Sequence, residues 1–169
     1  MAGVKLTVDT NILRDAIDPG RAGHGVAVKL LGLHQAARCD VALTTRIDVD
    51  VPHDPLRSEI EALPILQDLV GTVFRLDYSR VGFGDFLASD EQAREADELM
   101  DLLFPGADPN SPRHRNRIAD VDHLIGHKAV KRDVFVTSER AILRRKDELR
   151  DRFGITVMAA QDAVNHIEE

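Results

Sequence analysis

Two hydrophobic rhythms alternate along the chain. Short apolar runs rich in β-formers are separated by stretches whose apolar residues recur every three or four positions. Val4 to Val8 reads as a buried strand and Ile12 to Ile17 as a short helix, stopped by Asp18-Pro19-Gly20. His24 to Arg38 carries Val26, Leu30, Leu33 and Ala37 at helical spacing. Asp40 to Thr45 reads as the second strand. Ile47 to His53 fits either an alternating strand or a short helix before Pro52. Pro55 to Leu63 and Ile65 to Val70 read as helical around Pro64, and Thr72 to Leu76 as a strand. Ser89 begins a helix with a capping box to Gln92, and Pro105-Gly106 ends it. Ala107 to Arg117 reads as a polar loop. Then follow a helix over Ile118 to Lys131, a strand over Asp133 to Thr137 and a long basic helix over Glu139 to Arg152. Gly154 stops that helix, Ile155 to Met158 is the last strand, and Gln161 to Glu168 closes the pattern as a helix.

Strands separated by helices predict an α/β fold with a mostly parallel sheet between helical layers. At 169 residues the chain fits a single domain, 1–169, with enough core to fold alone. The net charge of −7 argues against a general nucleic-acid coat protein, but leaves room for a local basic patch. Cys39 is the one cysteine, which excludes an internal disulfide and a cysteine-rich zinc site. No signal-peptide core or membrane-length apolar run is evident, so the expected location is cytoplasmic, with no membrane partner. With no Trp and one Tyr, a stacking platform for single-stranded bases is poorly supplied.

Candidate chemistry comes from where the acids fall. Lys5-Leu6-Thr7-Val8 stops at Asp9-Thr10-Asn11, and a helix follows. Ligands of parallel α/β sheets sit outside the carboxyl ends of the strands, which places Asp9 where chemistry is usually done. The same residues are ordinary helix caps, and Thr10 or Asn11 can cap while Asp9 holds a ligand. Asp133-Val-Phe-Val-Thr137-Ser138-Glu139 repeats the form: strand, hydroxyl residues, acid, helix. In the helix between, Asp120 and Asp122 point to opposite sides, since a helix turns about 100° per residue. Asp122 shares an apolar stripe with Ile118, Ile125 and Ala129, whereas Asp120 shares a face with His123, His127 and Lys131. A carboxylate on an apolar stripe needs a partner, so Asp122 is the expected site residue and Asp120 a first-turn acid. Converging acids repel one another unless a divalent cation neutralises them, and hard oxygen ligands indicate Mg²⁺ or Mn²⁺.

On these residues the chain resembles the PIN-domain family of metal-dependent ribonucleases. The match runs through Val8-Asp9-Thr10-Asn11, Asp120-Val-Asp122-His-Leu-Ile and Phe135-Val-Thr137-Ser138-Glu139. The resemblance implies a PIN-like three-layer α/β sandwich that hydrolyses RNA phosphodiesters with Mg²⁺ or Mn²⁺. It assigns metal and catalysis to Asp9, Asp122 and Glu139, with Asp50 as the second acid and Asp48 and Asp120 as alternatives. Glu139 stands where the family usually has aspartate. Thr10, Asn11, Thr137 and Ser138 would orient the acids or water. Many bacterial members are toxins paired with an antitoxin, and members often dimerise. The segment around 71–117 is longer than a minimal member needs.

Other features carry less. His123 and His127 lie four apart, yet two ligands without a third read as packing or surface residues rather than a metal site. Arg113, Arg115 and Arg117 precede the Asp122 helix, and Arg140 and Arg144 follow Glu139, so both groups are candidate RNA contacts as well as ordinary solvated charge. Ser138 lacks a nucleophile elbow and reads as a cap. Two rival functions remain. One is a PIN-fold binding or regulatory module with weak or lost nuclease activity. The other is an aspartyl-phosphate phosphatase or receiver-like domain. Against the latter, the place two residues after Asp9 is Asn11, and no strand-borne lysine faces Asp9.

Overall fold

The computed structural model describes residues 3–47, 56–63, 69–73 and 85–169. The first half runs β1 (Val4–Val8), α1 (Thr10–Ile17), α2 (His24–Gln35), β2 (Cys39–Thr44), α3 (Leu56–Glu61) and β3 (Leu69–Val70). The second runs α4 (Asp90–Leu103), α5 (His114–Ala129), β4 (Val134–Val136), α6 (Arg140–Leu143), α7 (Lys146–Phe153), β5 (Val157–Met158) and α8 (Ala160–Glu168). The strands form one parallel sheet in the order β3-β2-β1-β4-β5.

β1 is the central strand, with Leu6 opposite both Val41 and Val134. Alternation along the strands divides the core in two. Leu6, Val8, Val41, Leu43, Val134 and Val136 pack against α1, α2 and α8 through Ile12, Leu13, Leu30, Val164 and Ile167. Phe135 and Val157 face the other way, toward Leu99 of α4, Leu124 of α5, Ile142 of α6 and Leu149 and Phe153 of α7. The result is the expected three-layer α/β sandwich. Among the described residues no helix is long and apolar enough to cross a membrane.

The capping box forms as its sequence predicts: Gln92 N donates to Ser89 Oγ and Ser89 N to Gln92 Oε1. Gly154 closes α7 with φ of 69°. Several boundaries differ from expectation. α5 begins at His114, not Ile118, so the polar loop ends a turn sooner. α5 ends at Ala129, and Lys131 adopts a left-handed φ of 52° before β4. The long basic helix is two pieces, α6 and α7, separated at Arg144 and Arg145. β3 lies at Leu69–Val70, inside the expected second helix, because its backbone pairs with Leu43 and Thr44 of β2. The ambiguous stretch from Ile47 to His53 falls, beyond Ile47, outside the described residues.

The strand order reverses between β1 and β4, and ligands of open α/β sheets bind at that reversal, outside the carboxyl ends of the strands. Asp9 and Thr137 follow those two strand ends directly. α5 packs close to the sheet beside them. A Cβ at Gly126 would stand 2.9 Å from the Gly71 carbonyl oxygen and 2.8 Å from Thr72 Cγ2. Gly126→Ala is therefore expected to lift α5 off the β3 edge and cost about 1–3 kcal/mol, read as a lower urea midpoint at unchanged slope.

Candidate functional site

Asp9 ends β1 in an extended conformation and caps α1, accepting the Asn11 N–H on Oδ1 at 3.4 Å. Its Oδ2 accepts the Thr137 hydroxyl at 2.7 Å across the strand reversal. Thr137 Oγ1 in turn accepts the Glu139 N–H at 2.9 Å. Glu139 caps α6 through Oε1, which accepts the Ala141 N–H at 3.2 Å. The two acids that follow parallel strands thus share one local architecture, each folded back on the second N–H of the next helix. The caps are the acids themselves rather than Thr10, Asn11 or Ser138. Thr10 is buried, Asn11 is half-buried, and Ser138 is exposed.

A polar cleft of about 230 Å³ opens at this edge, lined by Asp9, Thr10, Asn11, Arg14, Asn116, Asp120 and Glu139. The helix acid that reaches it is Asp120. Asp122 does not join it: its carboxylate is fully buried, with Oδ2 3.5 Å from Arg46 Nε. The sequence assigned α5 a single buried face, but residues 121 to 127 are all buried, so the helix is covered on both sides. The face bearing Asp120 meets the sheet through polar contacts. His123 Nδ1 bonds Thr44 Oγ1 of β2, and His127 Nδ1 lies 2.9 Å from Thr7 Oγ1 of β1. Both histidines pack near Phe135 and serve the core. An apolar stripe marked the wrong side because hydroxyls on the sheet make a polar face equally able to be buried.

Arg46, just past β2, was missed by sequence reading. Its side chain is 1 % exposed and lies between two carboxylates, with Nη2 3.1 Å from Asp85 Oδ2. Its Nε donates to Thr72 Oγ1 at 2.7 Å, and Nη2 also reaches the Val73 carbonyl. Asp85 Oδ1 accepts the Thr72 N–H at 3.1 Å and the Thr45 hydroxyl. A buried guanidinium is tolerable when its donors are satisfied by carboxylates and carbonyls, as here. The available signal was an arginine within Ala42-Leu-Thr-Thr-Arg46-Ile47, where an apolar context demands an acid elsewhere. Arg14 and Asn116 were also missed. Helical spacing places Arg14 three and four residues after Asn11 and Thr10, and Asn116 four before Asp120.

Asp50, the expected second acid, and its alternative Asp48 lie outside the described residues. Among the basic residues, Arg113 and Arg115 at the start of α5, Arg140 at the start of α6 and Arg144 just past its end are exposed. Arg117 is half-buried, with its guanidinium 5.7 Å from the Phe104 ring centroid. A larger pocket of about 340 Å³ between α4 and α5 is walled by Val73, Ala96, Met100, Ile118 and Val121, and among the described residues Asp97 is its single carboxylate.

Among the described residues no three His, Cys, Asp or Glu side chains are gathered as a ready-made metal cage. Asp9, Asp120 and Glu139 nonetheless supply hard oxygens to one cleft. A carboxylate has about four acceptor positions, so the cap bonds leave Asp9 and Glu139 with capacity. Mg²⁺ typically keeps several waters and takes one or two carboxylates plus substrate phosphate, a demand this donor set meets. No known family profile matches the chain, and no curated protein is similar to it.

Two stability predictions follow from the buried groups. Arg46→Met would strand Asp122 and Asp85 and is expected to cost about 3–5 kcal/mol, seen as a lower denaturation midpoint. His127 is 2 % exposed, and burial, then the Arg132 charge, lowers its pKa from 6.5 to about 4. The unfolded chain therefore takes up a proton that the folded chain refuses. Stability is full above pH 6.5 and falls as pH drops from 6.5 to about 4. The loss from this group is about 3 kcal/mol, and in His127→Gln that part of the pH dependence in urea titrations should disappear.

Proposed function

We propose that the protein is a metal-dependent phosphodiester hydrolase acting on RNA. The carrying observation is that Asp9, Asp120 and Glu139, from two strand ends and a helix far apart in sequence, line one polar cleft at the reversal of strand order. Asp9 and Asp120 would hold Mg²⁺ or Mn²⁺, with Glu139 at the third corner. Bound there, the ion would supply a water acidic enough to act as hydroxide near neutral pH and positive charge for the departing oxygen.

The chain's own groups do the rest. Thr137 donates to Asp9 Oδ2, which fixes the carboxylate at the cleft wall. The Asn11 N–H does the same on Oδ1. Glu139, held at the α6 start by the Ala141 N–H, lines the same cleft and would orient a water there. Exposed Arg113, Arg115 and Arg140 at the neighbouring helix starts, and Arg144 just past the end of α6, suit contacts with phosphates beyond the cleft.

A second reading is favoured by Arg46. It neutralises Asp122, and no ready-made cage of three ligands stands among the described residues, which suits a binding module of the same fold without catalysis. Mixed RNA incubated with Mn²⁺ separates the two. Cleavage that EDTA stops, and that Asp9→Asn and Asp120→Asn each lower by about 100-fold or more, is the expected result. Absence of cleavage together with no Mn²⁺ heat at millimolar concentration favours the module. Persistence of cleavage in Asp122→Asn, if that variant folds, would separate the buried acid from the cleft acids.

A further inference from the structure

The cleft contains more than acids. Arg14 lies one turn along α1 from Thr10 and Asn11 and contributes to the same wall. Its Nε is shut off from solvent. Asn116, exposed at the start of α5, stands one turn before Asp120. Each helix therefore brings a nitrogen donor to the cleft four residues from an oxygen-bearing one.

The walls also lack something. Every described lining residue is an acid, an amide, a threonine or an arginine, so among the described residues a base finds no apolar or aromatic face to stack on. A planar guanidinium is a fork matched in shape to two phosphate oxygens, and Arg14 brings one to the cleft that Asn116 also lines. At about 230 Å³ the cleft holds the volume of several waters, each about 30 Å³. That suits a phosphate and its sugar more than a stacked oligonucleotide.

We propose that Arg14, assisted by Asn116, is the phosphate-positioning residue of this cleft, so that the cleft takes the phosphate and sugar of a nucleotide and is indifferent to its base. As a role in hydrolysis this rests on the phosphodiesterase reading above, but phosphate binding can be measured without it. In that role the guanidinium takes the non-bridging oxygens while the carboxylates face the ion, and no covalent step is asked of it.

The probes are inorganic phosphate and the four ribonucleoside 5′-monophosphates, titrated calorimetrically into the intact chain with and without Mg²⁺. The four nucleotides should bind within about threefold of one another, as expected without stacking contacts. Arg14→Gln should weaken phosphate and nucleotide binding by about 10-fold or more, Arg14→Lys should recover part of it, and Asn116→Ala should lose less. Mn²⁺ affinity should hold or rise in Arg14→Gln, because a positive charge leaves an acidic cleft. A merely structural Arg14 would lower the melting temperature and leave phosphate affinity untouched. If Arg14→Gln fails to fold, Arg14→Lys and the exposed Asn116→Ala still decide.

The proposal is overturned by unchanged phosphate affinity in the folded variants, by a wild-type chain that binds no phosphate at millimolar concentration, or by a strong preference for one base. Failure of the two readings is distinguishable. Mn²⁺-dependent RNA cleavage with the same KM in wild type and Arg14→Gln sinks the phosphate role alone. Arg14-dependent phosphate binding without any cleavage sinks the hydrolase alone.

Discussion

A guanidinium buried beneath the sheet edge sets the geometry of everything above it. Arg46 is almost without solvent, so its charge had to be met by protein, and the partners come from separate parts of the chain: Asp122 in α5, Asp85 before α4, and Thr72 and Val73 after β3. Removing a charge from water costs several kcal/mol unless geometry and hydrogen bonding repay it. That requirement ties α5 to the ends of β2 and β3. With His123 and His127 bonded to threonines of the sheet, the rotation of α5 about its axis is fixed. Asp120 faces the cleft because Asp122 is held elsewhere.

The acids at the cleft also stabilise the fold. Asp9 and Glu139 each hold the first turn of a helix, and Thr137 joins them by bonds to both residues. Carboxylates anchored in this way lose little freedom when they meet a ligand, since their orientation was set during folding. The dual role has a cost. A neutral replacement alters a helix start as well as the cleft, so activity and stability are coupled at these two positions and less so at Asp120.

The frame of the molecule was legible from its rhythm. Apolar runs ending at Asp9 and near Glu139 marked parallel strand ends, and the rule for open sheets then located the cleft. The α4 cap and the Gly154 stop were legible because their chemistry is local. What could not be read depends on contacts far along the chain. α5 starts a turn early, on His114 and Arg115, without a side-chain cap to announce it. β3 is strand because β2 offers it an edge, whatever its own periodicity. Asp120 and Asp122 were told apart by an apolar stripe, a test that assumes one buried face, whereas α5 is covered on two. Arg46 broke the pattern inside an apolar stretch, and that break was the available clue to the buried charge network.

The order of the chain through the sheet also has a consequence in time. β1 is made first but sits at the centre, and the bond from Thr137 to Asp9 spans 128 residues. Asp120 and Glu139 come from the last third of the sequence. A ribosome adding roughly 5–20 residues per second needs several seconds more to deliver them after Asp9 has emerged. Throughout that interval the first half can collapse onto α1 and α2, but the cleft has one wall. The three-acid grouping of the cleft therefore forms only once the last third of the chain has been made, however early Asp9 emerges.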